Sequence, residues 1–243
     1  MRDYQAEYEG RVAFIRELVK SAGASGIVYG NSGGKDSALV GILCKAACDN
    51  TVGIIMPCAS KRNYGQDTDD GIAVAERFGI ETRTVDLTAV REREMEELQK
   101  VCALNSAAIN NIAPRLRMMT LYAIGAAENR LVAGTGNRSE IHMGYFTKWG
   151  DGASDFDVIA DLTATEVFEF LEYLNAPRCI IDKAPSAGLF DGQTDEQEMG
   201  FRYADLDEFL LTGHTDEKAM AIIDRMHRGS EHKRKPIRTF GDD

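Results

Sequence analysis

The stretch Gly26-Ile27-Val28-Tyr29-Gly30-Asn31-Ser32-Gly33-Gly34-Lys35-Asp36-Ser37 decides the fold. Residues 26–29 form a short apolar run that reads as a buried strand. Residues 31–35 are a glycine-rich loop, and 36–48 carry helical spacing. The same alternation continues outward. Apolar residues at Tyr8, Val12, Ile15, Leu18 and Val19 predict a helix over 4–22. Residues 51–56 read as a second strand, stopped by Pro57. Further along, the pattern predicts a helix over about 68–78 and a strand over 81–87. A helix over 88–104 follows, with Thr88 as its N-cap. Next come a helix over 114–129 with Pro114 in its first turn, and a strand over 130–134. Helices are expected again over 163–174, 206–211 and 216–228. Strands near 27, 54, 84 and 132, separated by helices, mean a parallel sheet covered on both faces. Right-handed crossovers then give a doubly wound, Rossmann-like α/β fold. Two glycine- and aspartate-rich stretches, 145–156 and 184–200, do not fit the wound core. They are expected to be functional loops, since ligands gather at the carboxyl ends of strands in such folds.

The chain has 243 residues, and one α/β domain over 1–243 is expected. Hydrophobic residues make up 44% and charged residues 28%, which excludes a disordered or fibrous chain. Lys+Arg 28 against Asp+Glu 39 gives a net charge of −11, which argues against a general nucleic-acid-binding surface. No run approaches the roughly 18 apolar residues of a membrane span, and the start, Met1-Arg2-Asp3-Tyr4, is not a signal peptide. A cytoplasmic location is the expectation. The five cysteines, 44, 48, 58, 102 and 179, are odd in number and contain no C-x-x-C, as expected of reduced thiols. Cys44 and Cys48 lie one helical turn apart with no histidine near them in sequence, so zinc is not expected.

Residues 30–37 are built for phosphate. Glycines let the backbone turn sharply, and successive N–H groups at the next helix start aim at one point with the helix dipole behind them. This is not a Walker A loop, because Asp36 follows Lys35 and Tyr29 sits five residues before Gly34. Asp36 is the oddity. A carboxylate about 4 Å from a phosphate charge is repelled by about 4 kcal/mol at an effective dielectric of 20. Either Asp36 caps the helix, or it holds a Mg²⁺ that bridges to the phosphates. Ser37 is either an early-helix hydroxyl or a phosphate donor.

A second constellation follows the strand ending near 133. It begins Gly134-Thr135-Gly136-Asn137-Arg138-Ser139-Glu140, where Ser139 spoils a dinucleotide fingerprint. It continues as Gly144-Tyr145-Phe146-Thr147-Lys148-Trp149-Gly150-Asp151-Gly152-Ala153-Ser154-Asp155. This is either an exposed loop or a ligand loop, with cations for phosphate, carboxylates for hydroxyls or metal, and rings for stacking.

The string Ser32-Gly33-Gly34-Lys35-Asp36-Ser37 resembles the pyrophosphate loop of the ATP pyrophosphatase superfamily, whose fold is of the adenine nucleotide alpha-hydrolase type. With it, residues 134–155 resemble the signature region of NAD synthetase. So do Ala184-Pro185-Ser186-Ala187-Gly188-Leu189, Gln193-Thr194-Asp195-Glu196, Glu231-His232-Lys233-Arg234 and Arg115-Leu116-Arg117-Met118. The resemblance spans roughly residues 10–238. It implies amidation of nicotinic acid adenine dinucleotide (deamido-NAD). MgATP adenylates the nicotinate carboxylate with release of pyrophosphate, and ammonia then displaces AMP.

Carried over by position, Gly30, Asn31, Ser32, Gly33, Gly34, Lys35, Asp36 and Ser37 would hold the ATP phosphates, with Thr135 and Ser186 also on ATP. Asp36 and Glu140 would bind Mg²⁺. Arg115, Lys148, Asp155, His232 and Lys233 would contact deamido-NAD, although His232 and Lys233 also read as a solvated tail. Asp36 and Asp155 are the catalytic candidates. Asp155 or Asp151 could hold ammonium and take its proton. Relatives carry a lysine on ATP phosphate where this chain has Ala164, and Lys35 or Lys183 are candidate substitutes. The length leaves no room for a glutaminase domain, so ammonia is expected to be used directly or delivered by a separate glutaminase. A homodimer is expected, with the helices over 88–129 as its seam. The competing readings are another adenylating enzyme, such as a GMP-synthetase-like amidase or a tRNA-modifying thiolase, and a nucleotide-binding protein with little turnover.

Overall fold

Alternation along the first strand sorts the side chains into two cores. The computed structural model describes residues 2–58, 64–183 and 200–241. The elements in order are α1 (Tyr4–Ser21), β1 (Gly26–Gly30), α2 (Lys35–Ala47), β2 (Thr51–Ile55), α3 (Gln66–Phe78), β3 (Glu81–Thr84), α4 (Thr88–Gln99) and α5 (Ser106–Glu128). They continue as β4 (Arg130–Gly134), α6 (Arg138–Met143), β5 (Phe156–Asp157), α7 (Ala164–Tyr173), α8 (Arg178–Ile181), α9 (Tyr203–Thr212), α10 (Glu217–Gly229) and α11 (Glu231–Arg234). In β1, Ile27 and Tyr29 join Ile15 of α1, Leu39 and Leu43 of α2 and Phe170 of α7. Val28 points the other way, onto Val52, Ile54, Val132 and the α5 residues Met118 and Leu121. That is the period of two that strand geometry imposes. A third cluster ties Met143 to Tyr203, Leu206, Ala219 and Ile223.

The sheet order is β3-β2-β1-β4-β5, and every pairing is parallel. The expected α/β fold with a parallel sheet is what forms. In this order the chain leaves β1 toward β2 on one side and returns to β4 on the other. The loops following β1 and β4 therefore flank a crevice at the carboxyl ends of the two strands, where ligands bind in open α/β sheets.

Three local expectations change. Thr88 does not cap α4: it is the first helical residue, and Asp86 Oδ1 accepts its N–H at 2.9 Å instead. Helix α5 begins eight residues before Pro114, because the Asn105 side chain accepts from Ala108 N at 2.9 Å and starts the helix there. Pro114 is thus an internal residue, and the carbonyl of Asn110 receives no N–H from it. Residues 145–156 end in a strand rather than a loop. The two-residue β5 is too short to show a period in sequence and exists through its pairing of Phe156 with Ala133 and Asp157 with Gly134. The stretch 184–199 lies outside the described residues. Among the described residues, no helix is long and apolar enough to cross a membrane.

Candidate functional site

The loop after β1 forms the floor of the site. Gly33 has φ +70°, and a Cβ there would lie 2.0 Å from the Asp67 carbonyl oxygen, so only glycine lets the loop close onto α3. Gly34 is the N-cap of α2 and brings no side chain to it, which leaves the first N–H groups of the helix to face a ligand. Asp36 is therefore not the cap, and that alternative is excluded. Its Oδ1 accepts from Asn137 Nδ2 at 3.0 Å and its Oδ2 from Lys35 Nζ at 2.5 Å. Ser37 Oγ bonds the Gly34 carbonyl at 3.0 Å and lies 3.0 Å from Ser32 Oγ. Asn31 is turned inward, its Nδ2 donating to the Gly71 carbonyl at 2.9 Å.

The loop after β4 forms the facing wall. Asp157 of β5 holds it, accepting from Gly136 N at 2.9 Å and Ile159 N at 3.0 Å. Burial, helped by the nearby Asp36 charge, pushes the Asp157 carboxyl up to about 6. Asn137 caps α6 in a reciprocal box: Glu140 N donates to Asn137 Oδ1, and Glu140 Oε2 accepts from Asn137 N at 3.2 Å. One buried asparagine thus links the carboxylates of Asp36 and Glu140. Two carboxylates, both bonded to Asn137 and both lining the pocket, are hard oxygen donors of the kind that suits Mg²⁺, which keeps several waters and is held by one or two carboxylates plus phosphates. Among the described residues no three metal-binding side chains gather, so such an ion would need the nucleotide as co-ligand.

A pocket of about 500 Å³ opens between these walls, in the range of small-ligand sites. Gly30, Asn31, Ser32, Gly34, Lys35, Asp36, Ser37, Thr135, Glu140 and Lys233 line it, so most of the candidate ATP set is brought together. Ser186 lies outside the described residues. The remaining deamido-NAD candidates, Arg115, Lys148, Asp155 and His232, do not line this pocket. Three of them chain together on the surface instead: Arg115 donates to the Lys148 carbonyl at 3.3 Å, and Lys148 Nζ donates to the His232 carbonyl at 2.6 Å. Asp155 accepts from Tyr122 Oη at 3.2 Å and from Val132 N at 2.8 Å. Lys233 closes the pocket rim, donating to the carbonyls of Gly144 and Phe146 at 2.7 Å each, and burial draws its ammonium down.

Arg117 is a pocket residue that was not picked from sequence, whereas Asp151 and Lys183 were candidates and do line the pocket. Arg117 lines the pocket where Arg115 does not, because two residues along a helix turn the side chain through about 200°. Its Nε donates to the Met56 carbonyl at 3.1 Å, and burial lowers its basicity. Asp151 also lines it. Open to the pocket yet surrounded by protein, its carboxyl is pushed up by desolvation. Lys183 ties the floor together, donating to the Gly33 carbonyl at 2.9 Å, to Asp67 at 2.8 Å and to Asp70 at 2.7 Å. Ala164 is buried in the third core cluster, and its N–H donates to Ser139 Oγ at 3.1 Å.

Fold and site together define a nucleotide-binding α/β protein with a phosphate loop that is not of the Walker type. The sequence profile of the NAD synthase family matches residues 7–237. The chain belongs to that family. It is 45% identical over 236 residues to the NH(3)-dependent NAD(+) synthetase of Carboxydothermus hydrogenoformans, covering 96% of each chain. Among solved structures it resembles the NMN synthetase of Francisella tularensis (TM-score 0.94, 37% identity, 100% of both chains). It also resembles the NH3-dependent NAD synthetase of Campylobacter jejuni (TM-score 0.79, 29% identity, 99% and 100% covered).

Proposed function

We propose that this chain is a carbon–nitrogen ligase that uses ATP to amidate deamido-NAD with ammonia, giving NAD, AMP and pyrophosphate. The observation that carries this is the loop of residues 30–37, Asp36 included, lining one pocket with Glu140, in a chain of the NAD synthase family. The substrate's own carboxylate attacks the α-phosphorus of ATP, and the bond to the pyrophosphate oxygen breaks. Ammonia then attacks the acyl carbon, AMP leaves, and the surplus proton passes to a base. No protein nucleophile is needed, so the chain's work is alignment, which supplies on the order of 7–11 kcal/mol. The N–H groups at the start of α2 receive the phosphates, and Thr135 and Ser186 contact ATP. Asp36 and Glu140 hold Mg²⁺, which neutralises charge on the phosphates when bound. Asp155 and Asp151 are the carboxylates offered for ammonium, and burial makes the Asp151 carboxyl more basic than an ordinary carboxylate.

Arg115, Lys148, Asp155, His232 and Lys233 are assigned to deamido-NAD. The surface chain Arg115–Lys148–His232 lies outside the ATP pocket, as fits a dinucleotide that reaches beyond it toward a second copy of the chain. We therefore read the protein as a homodimer, one domain per chain, cytoplasmic, and fed by ammonia directly.

A second reading is favoured by one observation: the likeness to the NMN synthetase is tighter, at TM-score 0.94, than the likeness to the Campylobacter NAD synthetase, at 0.79. In that reading the acid amidated is nicotinic acid mononucleotide. One assay separates the readings: pyrophosphate release with MgATP and ammonium chloride, in the presence of deamido-NAD, nicotinic acid mononucleotide, XMP or no acceptor. Release that requires deamido-NAD is expected. A higher kcat/KM for the mononucleotide selects the second reading, and release only with XMP overturns both. Glutamine is expected not to replace ammonium.

A further inference from the structure

The phosphate loop carries a cation of its own. Lys35 is the first residue of α2, only 6% exposed, and its ammonium sits 2.5 Å from Asp36 Oδ2. Two rings lie near it, with Nζ 5.7 Å from the centre of Phe168 and 5.9 Å from that of Tyr203. Asn137 holds the other Asp36 oxygen. Both oxygens of the carboxylate assigned to the divalent ion thus have protein partners, and one of those partners is positive.

We infer that Lys35 is a positioning residue that occupies the divalent cation's place on Asp36 and exchanges Asp36 for nucleotide phosphate when the metal–nucleotide complex arrives. This rests on the reading of the pocket as an ATP site. An ion bound about 2.1 Å from Asp36 Oδ2 would stand within a few ångströms of an ammonium hydrogen-bonded to the same oxygen, and the two cations repel. The asparagine contact need not break, because Asn137 uses the other oxygen. The ammonium therefore leaves, and its place at the first turn of α2, where the helix N–H groups gather, puts phosphate oxygens within reach of a side chain with four rotatable bonds. The two nearby rings favour the charge where it stands. Metal without nucleotide must displace the lysine with nothing in return, whereas metal with nucleotide gives the lysine a new partner. The device thus couples the two ligands and keeps the free ion off an empty site.

The test uses the full, metal-stripped chain and two probes: Mn²⁺ alone, read by electron paramagnetic resonance, and ATP in the presence of EDTA, read by calorimetry. Lys35→Met, which keeps length and removes charge, is expected to bind Mn²⁺ at least about tenfold tighter than the parent and metal-free ATP at least about tenfold more weakly. Lys35→Arg, which keeps the charge, is expected to hold Mn²⁺ as weakly as the parent. Mn²⁺ affinity that is unchanged or lower in Lys35→Met overturns the exchange. Should that variant fail to give a cooperative melt, Lys35→Gln carries the same comparison. A parent that binds neither ATP nor the Mn·ATP complex overturns the nucleotide reading itself, whereas a parent that binds Mn·ATP beside a silent Lys35→Met overturns only the latch.

Discussion

Tyr29 shows how far packing can dominate a single residue. Its ring fills the core beside β1, and its hydroxyl is buried with no hydrogen-bond partner among the described residues. Glycines make room for it: a Cβ on Gly41 would lie 2.3 Å from the hydroxyl and one on Gly53 2.9 Å. An unpaired buried hydroxyl costs about 1–3 kcal/mol of desolvation, while the gap left by deleting one oxygen costs less. Tyr29→Phe is therefore expected to raise stability by about 1 kcal/mol, or about 2–4 °C in melting temperature. Differential scanning calorimetry that shows a lower melting temperature would mean the hydroxyl has a partner. The residues that chemistry marks were easier to pick from sequence than such packing. The glycines and Asp36 stood out because a turn at a helix start favours glycine and a carboxylate in an anion cradle is unusual, while Glu140 came from the family resemblance. Arg117 was not, because which of two arginines on one helix faces the pocket depends on the helix's rotation against the sheet.

At the scale of elements, the seam between α6 and α10 brings two histidines together. The His142 and His227 rings stack 4.1 Å apart, and His227 Nδ1 lies 2.8 Å from the His142 carbonyl. Burial first, and the neighbouring His227 second, draw the His142 imidazole down to about 4 from its usual 6.5. Between those values the unfolded chain binds the proton and the folded chain does not, so stability rises with pH across that window and is lost as pH falls through it. Because His142 is only half-buried, the effect is discounted to about 1 kcal/mol. Asp157, whose carboxyl burial raises to about 6, acts over much of the same window with the opposite sign, so the His142 contribution is read as the difference between the parent and His142→Gln. Urea unfolding between pH 4 and 7 is expected to show stability rising less with pH in His142→Gln than in the parent. A parallel slope in the variant would reject the assignment. The element pattern itself was legible wherever apolar period and caps agreed, as in β1, β2, β4 and α7. It failed where tertiary contacts decide: β5 exists only by pairing with β4, and the start of α5 is set by Asn105 rather than by its proline.

At the scale of the whole molecule, the long helix α5 joins the pocket to the outer surface. Its inner face buries Ala113, Met118, Leu121 and Gly125. Its outer face exposes Met119 at 60% and Tyr122 at 38%, with Ala123 and Ala126 also exposed. These positions fall at i, i+3, i+4 and i+7, a continuous apolar stripe of the kind that a second helix covers. Tyr122 reaches Asp155, and Arg115 begins the surface chain to Lys148 and His232, so the deamido-NAD candidates border the stripe. If the stripe is the dimer seam, substrate and partner meet on one surface, and losing the partner should harm the acid substrate more than ATP. Met119→Glu places a charge in the middle of the stripe, where burial without a counter-ion costs several kcal/mol. The expected result is half the mass by light scattering and at least a tenfold higher KM for deamido-NAD, with little change in ATP affinity. A monomer whose KM for deamido-NAD matches the parent would show that each chain completes its own site, and the surface chain from Arg115 to His232 would then need another role.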